Sequence, residues 1–132
     1  MVTSLAIIIV CASIAFAVIW YVNDDGTKGQ AKSIDEIVEY SYQSPEITTD
    51  LKDGAFVRIQ FQILTDGNAA KKEITKRDFQ LKNILIKELA KLTEDDFKTG
   101  LTNLENIVQD KLNELMTEGK ITDVYTINKI LQ

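Results

Sequence analysis

The stretch AFVRIQFQIL, residues 55–64, decides the fold of this 132-residue chain. Val57, Ile59, Phe61 and Ile63 point to one side of an extended backbone; Phe56, Arg58, Gln60 and Gln62 point to the other. A period of two with one apolar and one wetter side marks a strand in a sheet buried on one face. Thr65-Asp66-Gly67-Asn68 ends it in a turn.

Upstream, EITTDL (46–51) reads as a second strand, joined to the first by the turn residues Lys52-Asp53-Gly54. Pro45, the single proline, interrupts the chain before it. Ser33 followed three residues later by Glu36 has the form of a capping box and predicts a helical turn over 34–40.

Downstream the period changes. Ile74, Phe79, Leu81, Ile84, Leu85, Leu89 and Leu92 recur at three and four, which predicts one amphipathic helix over 70–91. Thr93 with Asp96 forms the cap of a short following turn, and Gly100 marks a break. Leu101, Leu104, Ile107, Val108, Leu112, Leu115 and Met116 then make a second stripe, closed by Gly119 at its C-terminal end. The last run, 120–131, is β-branched and strand-like, so the terminus belongs to the sheet. Its apolar residues Ile121, Val124, Ile127 and Ile130 need a partner surface. The 121-to-124 spacing breaks strict alternation and calls for a bulge near Asp123. The order strand, strand, two helices, strand gives an α+β class: a small sheet with two main helices packed on one face.

Residues 2–22 carry no charged side chain. Twenty-one residues in a helix reach about 31 Å, which matches the apolar core of a bilayer, and Trp20 and Tyr21 sit where headgroups would be. The reading is a single transmembrane helix over 1–22, a short linker over 23–33 (NDDGTKGQAK is polar, with two glycines) and a folded domain over 34–132. A cleaved signal peptide is the rival. Ala15-Phe16-Ala17 resembles a cleavage site, but no Lys or Arg precedes it and the apolar run continues past it. The short N-terminal flank favours an N-terminus in the cytoplasm and a domain outside the cytoplasmic membrane.

All 20 acidic and 15 basic residues follow position 22, a net charge of −5, which disfavours binding to nucleic acid. The chain has no histidine, and its one cysteine, Cys11, lies in the apolar segment. That removes the usual neutral-pH base, the commonest zinc ligand and any disulfide framework. No serine elbow or phosphate-binding glycine loop is present. Glu94, Asp95 and Asp96 are explained by a helix start, where negative side chains are favourable. The chain is therefore read as a non-enzyme with no cofactor. Lys71, Lys72, Lys76 and Arg77 form a basic face on the first long helix. As a solvated face it needs only neighbours such as Glu73; as a contact surface it suits an acidic partner or lipid headgroups.

The order of these pieces resembles the flagellar basal body-associated protein FliL family. The resemblance rests on the strand 56–64, on LAKLTEDDFKTG ending at Gly100, and on Asp123-Val124-Tyr125 with the final Gln132. It implies a single-pass inner-membrane protein whose extracytoplasmic domain has a stomatin/prohibitin-like core and forms oligomeric rings. It further implies an accessory of the flagellar motor that associates with stator subunits and supports their engagement or activity, at the basal body of a motile bacterium. Gly54, Gly100, Gly119, Val124, Tyr125 and Gln132 are then structural positions. The alternative is a membrane-anchored adaptor module unrelated to the motor. The chain departs from the family pattern in its uncharged N-terminal flank, its short linker and Asn128-Lys129, where apolar residues are expected.

Overall fold

The structure is a computed structural model that describes residues 12–15, 17 and 33–132. The chain divides into two units, Met1–Ser33 and Ile34–Gln132. In the first, residues 12–15 and 17 are helical.

The second unit begins with α1 (Ile34–Glu39), then β1 (Ser41–Gln43), β2 (Ile47–Asp50) and β3 (Phe56–Thr65). Four further helices follow: α2 (Asn68–Lys76), α3 (Asp78–Leu89), α4 (Glu94–Thr99) and α5 (Leu101–Leu115). The strand β4 (Ile121–Leu131) closes the order. The sheet is antiparallel and built around β3. Strands β1 and β2 lie end to end along one of its edges, and β4 covers the other.

The period of two in β3 is realised in full. Val57, Ile59, Phe61 and Ile63 are buried, and Phe56 and Arg58 are exposed. Ile74 of α2, Leu81, Leu85 and Leu89 of α3 and Leu104, Val108 and Leu112 of α5 complete one core with them. Each such side chain contributes about 1.5–3 kcal/mol by leaving water. Pro45 separates β1 from β2 without detaching the chain from β3. Ser44 donates its N–H to the Phe61 carbonyl at 2.9 Å, and its hydroxyl accepts the Phe61 N–H at 2.9 Å.

Three expectations are corrected. The membrane-spanning helix over 1–22, with the single-pass topology and cytoplasmic-membrane location built on it, finds no support. Among the described residues no helix is long and apolar enough to cross a membrane. The longest has 15 residues, about 22 Å against the roughly 30 Å of a bilayer core. Most of residues 2–22 and the linker 23–32 lie outside the described residues. Second, the helix expected over 70–91 is two helices. Arg77 leaves helical geometry (φ −90°, ψ 16°), and its N–H is shared between the Glu73 and Ile74 carbonyls. The break turns the stripe, so Phe79 points outward and is 68% exposed. The short helix α1 lies over the face of the sheet opposite the core, beside Gln62, Leu64 and Tyr125.

Third, β4 divides its apolar residues between two faces. Its register against β3 shifts at Thr122, between the pairs Thr65–Ile121 and Leu64–Asp123, and again at Ile127, between Phe61–Thr126 and Gln60–Asn128. The first bulge, beside Asp123, turns both Ile121 and Val124 into the core. The second sends Ile127 and Ile130 outward, 46% and 39% exposed. The chain ends paired: Gln132 donates to the Phe56 carbonyl at 2.8 Å, and its own carbonyl accepts the Phe56 N–H at 3.1 Å.

Candidate interaction surface

Helix α2 carries the basic face. Its inner side is Ala70, Glu73 and Ile74, all buried; positions one and two residues away turn outward, which exposes Lys72, Thr75 and Lys76. The four cations expected to act together are not equivalent. The Arg77 guanidinium donates from Nε to Glu73 at 2.9 Å and from Nη1 to Gln80 at 2.7 Å, and its Nη2 lies 2.9 Å from the same Glu73 oxygen. Lys71 donates its ammonium to the Glu39 carbonyl at 2.8 Å, the last residue of α1, where a cation suits the negative helix end. Lys72 and Lys76 form no ion pair among the described residues. With Asn68, Lys71 and Thr75 they line a shallow recess along the helix.

The recess is held rigidly because Glu73, beneath it, is a hub. Its two oxygens accept the N–H of Thr117 at 2.9 and 3.0 Å, the N–H of Glu118 at 2.7 Å and the Thr117 hydroxyl at 3.1 Å. Burial alone pushes this carboxyl up. The Glu118 and Thr117 amides, then Arg77 and the Thr117 hydroxyl, outweigh it and hold the pKa down at about 2. The α5–β4 turn is thereby fastened to α2. Sequence reasoning took Glu73 only as a surface neighbour of Arg77. The missed signal is its position: three residues after Ala70 and next to Ile74, it falls on the apolar stripe.

The glycine in that turn is Gly119, at φ +153°. A Cβ there would lie 2.5 Å from Asp66 Oδ1 and 2.7 Å from the Ala70 Cβ. The turn therefore approaches α2 more closely than any other residue permits. Gly54, at φ +88°, makes the β2–β3 turn, and Gly100 joins α4 to α5 against the Asp96 carbonyl. Val124 is buried opposite Ile63. Tyr125, opposite Gln62, is exposed. These positions are dispersed over the fold and form no common site with the lysines.

A second polar link was not legible in the sequence. The Tyr42 hydroxyl of β1 donates to Asp78 Oδ1 at 2.6 Å, at the first residue of α3. Burial, then the bond to Asp78 and its charge, push the phenol above its ordinary range. Among the described residues no group of His, Cys, Asp or Glu is placed to hold a metal ion.

The family model for "Flagellar basal body-associated protein FliL" matches residues 41–132, from β1 to the last residue. The "Flagellar protein FliL" of Bacillus subtilis (strain 168) is 39% identical over 103 residues, covering 76% of this chain and 74% of the relative.

Proposed function

Because the chain belongs to the FliL family and is a non-enzymatic accessory component of the flagellar motor, we propose that it binds stator units and supports their engagement. In this reading residues 34–132 are the binding domain and act as an oligomeric ring. The contact surface is the outer side of α2, with Lys72 and Lys76 as the reaching cations and Lys71 at its margin. Arg77 serves the surface from beneath, by holding Glu73 in place.

One observation carries the assignment of the surface. Lys72 and Lys76 are exposed on a helix whose buried side is fixed by the Glu73 hub, so two uncompensated charges are presented with little freedom to reorganise. The backbone then needs little ordering on binding, and the cost that remains is the rotamer freedom of the two lysine side chains. Charge complementarity with an acidic stator surface sets orientation and encounter rate more than affinity.

The test is crosslinking in intact cells followed by mild-detergent capture and mass spectrometry. Stator subunits and a ladder of self-crosslinks are expected from the native chain. The Lys72→Glu/Lys76→Glu variant is expected to lose stator subunits while keeping the ladder. Capture of the ladder without stator subunits from the native chain would overturn the stator reading. Equal stator recovery from the variant would move the contact elsewhere.

A further inference from the structure

Among the described residues, the outer edge of β4 is closed along its first half and open along its second. Glu105, Gln109 and Asn113 stand four residues apart, so they form one stripe of α5. Asn113 accepts the Ile121 N–H at 2.7 Å and donates to the Ile121 carbonyl at 3.0 Å. Gln109 donates to the Thr122 carbonyl at 3.0 Å, and Glu105 accepts the Thr126 N–H at 2.7 Å. One turn earlier the stripe reaches Leu101, the first residue of α5, which has no polar side chain to offer. The reciprocal bonds of Phe56 and Gln132 set the alternation of the ladder beyond that point. Ile130 and Asn128 face β3, and the N–H and C=O of Lys129 and Leu131 face away from it. No hydrogen bond among the described residues reaches those outward groups.

An open edge recruits another strand unless something prevents it. Here the sequence discriminates between partners. Two β4 edges paired antiparallel in the register centred on Lys129 would set the two Lys129 ammoniums opposite each other, which opposes that self-pairing. A carboxylate in the same place would be favoured, and the outward side chains of Ile127 and Ile130 offer apolar contact on the neighbouring face. We propose that the β4 edge over residues 127–131 is a strand-addition site for an extended, acidic segment of another protein. The incoming strand bonds to the main chain of Lys129 and Leu131, sets a carboxylate beside Lys129 and lays apolar side chains against Ile127 and Ile130. Lys129, a cation in an otherwise largely apolar run, thus selects the partner, while Asn128 is turned to Glu46 of its own chain.

The experiment uses the full chain and a fluorescent synthetic peptide in which Val alternates with Glu and Thr, read by anisotropy. Three comparisons decide it. Methylating the peptide nitrogens along one edge is expected to weaken binding at least about tenfold, since two main-chain bonds are lost. Replacing Glu by Lys in the peptide is expected to weaken it several-fold, and Lys129→Glu, an exposed change, to reverse that preference. Amide exchange at Lys129 and Leu131 is expected to slow when the unmethylated peptide binds. No binding, or equal binding of the methylated peptide, overturns the proposal; the latter result assigns the contact to side chains alone, as for a docked helix. Self-association of the chain that the peptide cannot displace, and that the uncharged Lys129→Gln enhances, gives the edge to a second copy and overturns it too.

Discussion

The carboxylate of Glu73 accepts the backbone N–H of Glu118, 45 residues further along the chain, at 2.7 Å. The bond joins the middle of α2 to the turn between α5 and β4. Three more bonds to Thr117 and the Arg77 pair converge on the same two oxygens. Glu73→Ala removes the hub and leaves two amides and a guanidinium without their acceptor. The expected cost is about 2–4 kcal/mol, or on the order of 10 °C in Tm. Glu73→Gln keeps the shape but turns an NH2 group toward donors, so it should recover little of that loss. Thermal unfolding followed by circular dichroism checks both variants.

The same group sets an acid limit. Its pKa falls from an ordinary 4.5 to about 2 in the folded chain. Between those values the unfolded state binds the proton and the folded state does not, so acid favours unfolding. The Glu73 contribution is fully present above about pH 4.5 and is lost as pH falls toward 2. Urea titrations across that window should show native stability dropping more steeply than that of Glu73→Gln, which has no carboxyl at 73 to titrate. Parallel slopes would show that other carboxylates govern the acid transition.

Tyr42 gives the opposite sign. Its phenol is pushed up by burial and by Asp78, so the folded chain keeps a proton that the unfolded chain gives up near pH 10. The stabilisation is complete below that pH and is lost as pH rises beyond it. The Tyr42 phenol should resist ionisation in an alkaline absorbance titration of the folded protein. Tyr42→Phe should abolish that late step and cost about 1 kcal/mol.

Gly119→Ala should be disproportionately harmful for so small a change. The φ of +153° already disfavours a side chain, and the new Cβ would meet Asp66 and Ala70 at 2.5 and 2.7 Å. Strain and displacement together should cost roughly 2–4 kcal/mol. Gly67→Ala is the control, because nothing lies within 4 Å of the Cβ it adds. Its denaturation midpoint should stay close to that of the native chain.

Much of the sheet and core could be read from the chain because burial there leaves a local period. Val57, Ile59, Phe61 and Ile63 alternate with polar residues, and that alternation is the physical cause of their burial on one face. The three-residue strand β1 is too short to show any period. The break at Arg77 carries no proline or glycine, and arises where Arg77 folds back to pair with Glu73. The fate of Ile127 and Ile130 turned on a bulge set by pairing with β3, which is not a property of β4 alone. The basic surface was partly legible: the four cations are contiguous in sequence, but which of them are consumed within the fold depends on Glu39, Glu73 and Gln80 in three dimensions.

That division yields the sharpest test of structure against function on α2. Arg77 is committed to Glu73 and Gln80, whereas Lys72 and Lys76 are exposed and unpaired among the described residues. Arg77→Glu places a second negative charge against a buried carboxylate and should lower stability by about 3 kcal/mol or more. Lys72→Glu and Lys76→Glu should each stay within about 0.5 kcal/mol of the native chain, as surface changes do. Motility measured in soft agar, beside unfolding of the purified proteins, separates the two effects. If the lysines make the motor contact, the lysine variants swim poorly at native stability. Arg77→Glu then swims poorly in proportion to its loss of folded protein, and growth at a lower temperature restores it. Rescue of the lysine variants by lower temperature would instead assign them to folding and remove α2 from the contact surface.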